Sequence, residues 1–124
     1  MDIPAPCALV AAAIMAAQPA QKPPTVASYY EDDEFVATGA KYRPDGLTAA
    51  HRTLPFGTKL TVCRHRRCVV VTVNDRGPAT WTGCEIDLSR GAARIIGIYP
   101  DIGVDAVRIR PYPPTPRQRP RVSQ

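Results

Sequence analysis

Residues 69–78 read VVVTVNDRGP, and this stretch narrows the possible folds further than any other. A run of β-branched residues without polar alternation suits a strand buried on both faces, as in a small barrel, rather than one with a wet face. Before it stands CRHRRC at 63–68, which places Cys63 and Cys68 on the two arms of a tight hairpin whose other strand is KLTVC. The run ends on Asn74, Asp75 and Arg76 at a Gly-Pro turn, and Asn and Asp side chains readily bond the backbone of a following turn. Either the acid serves that turn or the turn presents the acid.

A chain of 124 residues with 14 prolines and 8 glycines has room for one compact core. Hydrophobic residues make up 44%, but many are alanines near the N-terminus, so the core must come from the Val, Ile and Leu of residues 47–110. The expected class is mainly β. VASYY (26–30), LTAAH (47–51), KLTVC (59–63), CVVVTVN (68–74) and DAVRIR (105–110) read as strands, the last with Ala106, and Val107 or Ile109, turned inward. EDDE (31–34) reads as a solvated loop, and the Gly and Pro of FVATGAKYRPDG (35–46) also predict a loop. DLSRGAARIIGI (87–98) reads as one short helix, with Ser89 as N-cap, Leu88 as staple, Ala92, Ala93 and Ile96 buried, and Gly97 as the stop.

The two ends differ in character from the middle. CALVAAAIMAA (7–17) has the length of the apolar part of a secretory leader and is too short to span a membrane, so residues 1–20 are expected to be a signal peptide and the protein exported. Residues 21–25 then form a linker, and the Pro/Arg-rich residues 111–124 a disordered, polyproline-like tail. Of the net charge of +5, the tail supplies three arginines and Asp2 takes one unit away, leaving about +3 between. That balance suits an anionic polymer, and equally serves ordinary solubility. No basic–aromatic motif points to nucleic acid, and no phosphate- or dinucleotide-binding loop points to a cofactor.

With the leader removed, Cys63, Cys68 and Cys84 remain. In an oxidising compartment Cys63 and Cys68 are expected to form a disulfide, with Cys84 left as a free thiol. In a reducing one, Cys63, His65, Cys68 and Cys84 could instead hold a metal, although their spacing is not that of a zinc knuckle.

Asp75 follows a buried strand at the mouth of whatever barrel that strand helps to build, where ligands bind, and a carboxylic acid there could protonate a glycosidic oxygen. The alternative is that Asn74 and Asp75 only brace the turn. His51 ends an apolar strand, either as a structural donor or as a catalytic group. Asp87 reads as a helix cap or as a second carboxylate, and Tyr29, Tyr30, Tyr42 and Trp81 as sugar-stacking platforms or core residues.

The ordered strings LTAAHRTLPFGTKLTV, VVVTVNDRGP, IDLSRGAARIIG and VRIR resemble the rare lipoprotein A (RlpA-like) family across residues 26–110. The resemblance implies a six-stranded double-psi β-barrel with one short helix, located in the periplasm or cell envelope. It further implies a lytic transglycosylase acting on peptidoglycan glycan strands stripped of stem peptides. Such an enzyme cuts between N-acetylmuramic acid and N-acetylglucosamine and leaves a 1,6-anhydro end. Carried over by motif, Asp75 is the general acid, His51 orients sugar or acid, and Asp87 is structural or binds substrate, while Arg76 and Tyr42 are also expected on the substrate. No metal or other cofactor is implied, and a monomer without a transmembrane span is expected. Active relatives usually carry Glu where this chain has Ala40, and SYYE (28–31) replaces their usual SWYG. A barrel that binds glycan without cutting it is therefore the alternative.

Overall fold

The computed structural model describes residues 7, 8, 10, 25–31 and 36–114. Six strands close on themselves: β1 (Thr25–Tyr30), β2 (Thr48–His51), β3 (Lys59–Arg64), β4 (Arg67–Asp75), β5 (Ile86–Ser89) and β6 (Asp105–Pro111). Around the barrel they run β1-β5-β2-β4-β3-β6. The β1–β5 and β2–β4 pairs are parallel, and the other four are antiparallel.

The valine run explains the centre of this arrangement. Val69, Val71 and Val73 of β4 point inward and meet Leu60 and Val62 of β3, Ala27 of β1, Ala49 of β2, and Ile86 and Leu88 of β5. Each large aliphatic side chain buried there contributes roughly 1.5–3 kcal/mol. The two alanines keep the barrel narrow. A short helix, α1 (Arg90–Ile95), packs Ala92 and Ala93 on this core, joined by Ile96 just beyond its end.

Ser89 caps α1 as the sequence predicts, its hydroxyl accepting from Ala92 N and donating to the Gly46 carbonyl at 2.6 Å. Gly97 follows the helix at φ +84°, a conformation suited to glycine. The residues before Ser89 differ from expectation. IDLS is a strand rather than a helix lead-in, Leu88 belongs to the barrel core, and Asp87 lies within that strand, where it accepts from the Ser28 hydroxyl. On β6, Val107 is the buried residue, with Ile109 packed against the core, while Ala106 is only half-buried. β6 also runs one residue past 110, with Pro111 opposite Leu60.

The β3–β4 hairpin turns at His65, which takes φ +54°, and Cys63 and Cys68 stand directly opposite each other and are joined by a disulfide. Cys84 is not a free thiol: it is joined to Cys7, and the pair packs with Val26, Val10 and Val104 outside the main core. All four sulfurs are thus oxidised, which overturns the metal alternative, because ligation requires thiolates. Apart from Cys7, Ala8 and Val10, the expected leader lies outside the described residues, as do linker residues 21–24, acidic residues 32–34 and tail residues 115–124. Among the described residues no helix is long and apolar enough to cross a membrane.

Candidate functional site

Simple alternation along β4 would turn Asp75 into the barrel beside Val73 and Val71. It does not, because the β2–β4 register slips: Ala49 stands opposite Val73, but Ala50 stands opposite Asp75, leaving Asn74 as an extra residue. A bulge of this kind re-aims the side chain that follows it. Asp75 comes onto the outer face of the barrel. On the other side of β2, Ala50 stands opposite Asp87, so the two acids flank one small residue that is 3% exposed.

The outer face of β1 completes the group. Ser28 stands opposite Asp87 and its hydroxyl donates to Asp87 Oδ1 at 3.0 Å. Two residues on, Tyr30 lies on the same face, its ring stacked on Tyr42 at 4.8 Å between centroids. The Tyr30 phenol is buried beside the Thr48 side chain, and Asn74 Oδ1 is buried without a hydrogen-bond partner among the described residues. Burial pushes the Tyr30 pKa up, and the negative charge of Asp75, then Tyr42 and Asp87, pushes it the same way. The phenol therefore stays neutral, close enough to both carboxylates to feel their charge.

Asp75 also has a structural task. Its Oδ1 accepts from Arg76 N and from Ala37 N, both at 2.8 Å, which fastens the loop at 36–40 to the end of β4. That loop is closed by Val36 N to the Ala40 carbonyl, and it carries the exposed Ala40. The bracing reading of Asp75 thus has a physical basis, since one carboxylate oxygen accepts from two backbone N–H groups.

His51 closes β2 and is half-buried. Its Nδ1 accepts from the backbone N–H of Thr53 and of Leu54, both at 3.2 Å, so the ring proton sits on Nε2. Burial lowers its pKa; Arg52 and Arg76 add to this, and Glu85 opposes them. The imidazole is neutral and can offer one donor. Arg76 holds this corner together, with Nη1 donating to the carbonyls of His51 and Leu54 and the guanidinium 3.9 Å above the Phe56 ring. Arg76 therefore positions the His51 loop.

Not every expected site residue is available. Tyr42 is 5% exposed, its hydroxyl donating to the Tyr30 carbonyl and accepting from Arg90 N. With its ring packed on Tyr30, it is a buried brace rather than an open platform for sugar. Tyr29 packs against the core and makes an edge contact with Tyr99. Trp81 is 79% exposed on a 3-10 turn at Thr80–Thr82. Tyr30 is the aromatic residue that joins the acids, and only the order β1-β5-β2-β4 reveals it.

A family model described as lytic transglycolase matches residues 24–109. A protein of Nostoc sp. named "Probable endolytic peptidoglycan transglycosylase RlpA" is 50% identical over 91 residues, covering 68% of this chain and 24% of that one. The endolytic peptidoglycan transglycosylase RlpA of Pasteurella multocida is 43% identical over 89 residues, covering 68% of this chain and 30% of its own length. This chain thus spans about a quarter of the length of the curated relatives it matches. Among solved structures, the Streptomyces papain inhibitor superposes with a TM-score of 0.54 at 25% identity, over 71% of this chain and 91% of the inhibitor.

Proposed function

Since the chain belongs to the lytic transglycolase family of double-psi β-barrels, the RlpA-like proteins, we propose that the outer face between β1 and β4 cleaves peptidoglycan glycan strands. The observation that carries this reading is the bulge at Asn74. It places Asp75 and Asp87 on either side of Ala50, with the neutral Tyr30 phenol beside them.

In this scheme protonated Asp75 gives its proton to the oxygen between N-acetylmuramic acid and N-acetylglucosamine, and the bond from that oxygen to the muramic C1 breaks. The muramic 6-hydroxyl attacks the oxocarbenium-like C1 and closes the 1,6-anhydro ring. Its proton passes to the Asp75 carboxylate and restores the acid. No water is consumed, so no second carboxylate has to activate one, in contrast to hydrolytic glycosidases. His51 offers its Nε2 proton to orient the sugar, and Asp87, held by Ser28, binds it. A reaction on peptidoglycan agrees with export, and the Cys7–Cys84 link requires that Cys7 stay with the folded chain.

The test is digestion of purified, peptide-stripped glycan strands with the full chain and mass detection of anhydro-ended fragments. Asp75→Asn keeps an Oδ1 acceptor for Ala37 N and Arg76 N, so it is expected to stay folded while the rate drops by about 10²–10⁴, the usual contribution of a general acid. Equal product from wild type and variant removes Asp75 from the chemistry.

Ala40 favours a second reading, a barrel that holds glycan without cutting it. The loop bearing Ala40 is tied to Asp75 itself, so a carboxylate missing at that position is missing beside the acid. That the same barrel architecture serves a protein named as a papain inhibitor agrees with a binding role. Glycan retained but uncut by wild type, and cut by Ala40→Glu, is the outcome that favours this reading.

A further inference from the structure

The outer-face acids lie at one end of β4; its other end, eight residues away and roughly 26 Å along an extended strand, is basic. There the β3–β4 hairpin presents Arg64, His65, Arg66 and Arg67 around a concavity of about 510 Å³ that also includes Gly97 and Ile102. A side chain built on Gly97 would meet Arg64 Nη1 at 3.0 Å and Arg67 Nη1 at 3.2 Å, so both guanidinium groups converge on one point. The carbonyl end of α1 helps to gather them, since Arg64 Nη1 donates to the Ile96 carbonyl. Arg64 is neutralised by Asp105 at 2.6 Å. Among the described residues Arg66, Arg67, Arg108 and Arg110 pair with no carboxylate. Asp101, on the turn beside Ile102, is the nearby exposed acid in sequence.

A second groove, of about 330 Å³, lies along β3 and its neighbour β6, lined by Thr61, Cys63, Arg108, Arg110, Pro111 and Pro114. Beyond Pro114 the sequence adds Arg117, Arg119 and Arg121. Two grooves that share strand β3 form an array of guanidinium groups rather than a pocket for one ion, and an array matches a surface that repeats its negative charge. Ile102 is 48% exposed among these arginines. Basic side chains with an exposed apolar residue at their centre are the composition of a membrane-surface contact.

We propose that this pole of the barrel docks on anionic phospholipid headgroups, the guanidinium groups on lipid phosphates and Ile102 in the interfacial layer. Docked in this way, the barrel directs its acidic face away from the bilayer. The inference is independent of the glycan chemistry, because it uses none of the same residues.

Co-sedimentation of the full chain with vesicles tests it, comparing phosphatidylcholine alone with phosphatidylcholine containing phosphatidylglycerol at low salt. The chain should pellet with the anionic vesicles only, and added salt should release it. Arg66→Gln, Arg67→Gln and Arg110→Gln together should weaken binding about a hundredfold, while Lys at the same three positions should retain it. Unchanged thermal melting of both variants separates loss of charge from loss of fold. Equal binding to both vesicle types, or a Gln variant that binds like wild type, overturns the proposal. So does a chain that stays in the supernatant while inorganic phosphate or soluble polyphosphate shifts its hairpin amide resonances, which would assign the pole to soluble polyanions.

Discussion

Asn74 decides the position of Asp75, although its own side chain is left with an unpaired buried oxygen. A residue that adds one position to a strand moves the next side chain to the opposite face, so the acid stands outside the barrel while the valines before it stand inside. The neighbouring His51 has a consequence that can be measured by pH. Its folded pKa lies below the ordinary histidine value, so the unfolded chain binds the proton more readily. Its contribution to stability is therefore complete above about 6.5 and declines as pH falls below that, toward the depressed folded value. Melting of wild type between about pH 7 and pH 5 should accordingly show a larger loss than melting of His51→Gln, which cannot titrate there. Parallel slopes would remove the linkage. Asp75 and His51 stood out in the sequence because each lies in a distinctive string. Tyr30 was one of four aromatic candidates, and what separates it from the others is the pairing of β1 with β5, which sets it on the face of Ser28 and Asp87.

Among the elements, β5 was the hardest to anticipate. Its four residues run directly into α1, and DLSR carries all the marks of a helix entrance, so a strand of that length is absorbed into the helix that follows. The hairpin was legible for the opposite reason: its two arms are long, rich in valine, and separated by a turn with a cysteine at each shoulder. The first turn of α1 carries a sharper lesson. Gly91 weakens the helix on propensity, and replacing it with Ala should by that measure add about 1 kcal/mol. Yet a Cβ at Gly91 would stand 2.7 Å from the Asp45 carbonyl oxygen, and Gly91 N already donates to the Pro44 carbonyl at 2.7 Å. The loop at 44–46 rests on the helix where the glycine leaves space, beside the Gly46 carbonyl that accepts from Ser89. Gly91→Ala is therefore expected to destabilise the barrel by about 1–3 kcal/mol in urea titration. A stabilised variant would mean that the loop can move aside at little cost.

At the scale of the molecule, the two disulfides are unequal. Cys63 and Cys68 are 5 residues apart, while Cys7 and Cys84 are 77 apart. On the chain-entropy model the short link contributes about 2 kcal/mol and the long one about 4 kcal/mol. Replacing each pair by serine in the full chain should therefore shift the urea midpoint further for Cys7 and Cys84; a larger shift for the hairpin pair would contradict that ordering. The long link was hidden in the sequence because Cys7 lies in an apolar segment that reads as a leader, and pairing it required knowing that Val26 and Val104 form a second small cluster beside Cys84. The barrel itself was legible as a class from its valines and turns, and its topology from the likeness of its motifs. Strand order also limits how anything can attach. Every strand has a bonded neighbour on both sides, β1 and β6 included, so the ladder has no terminal strand. A partner cannot extend this sheet through its main chain, the way many recognition domains capture peptides. Recognition falls to side chains and loops, and for that reason single substitutions at the two poles should alter one kind of binding without touching the other.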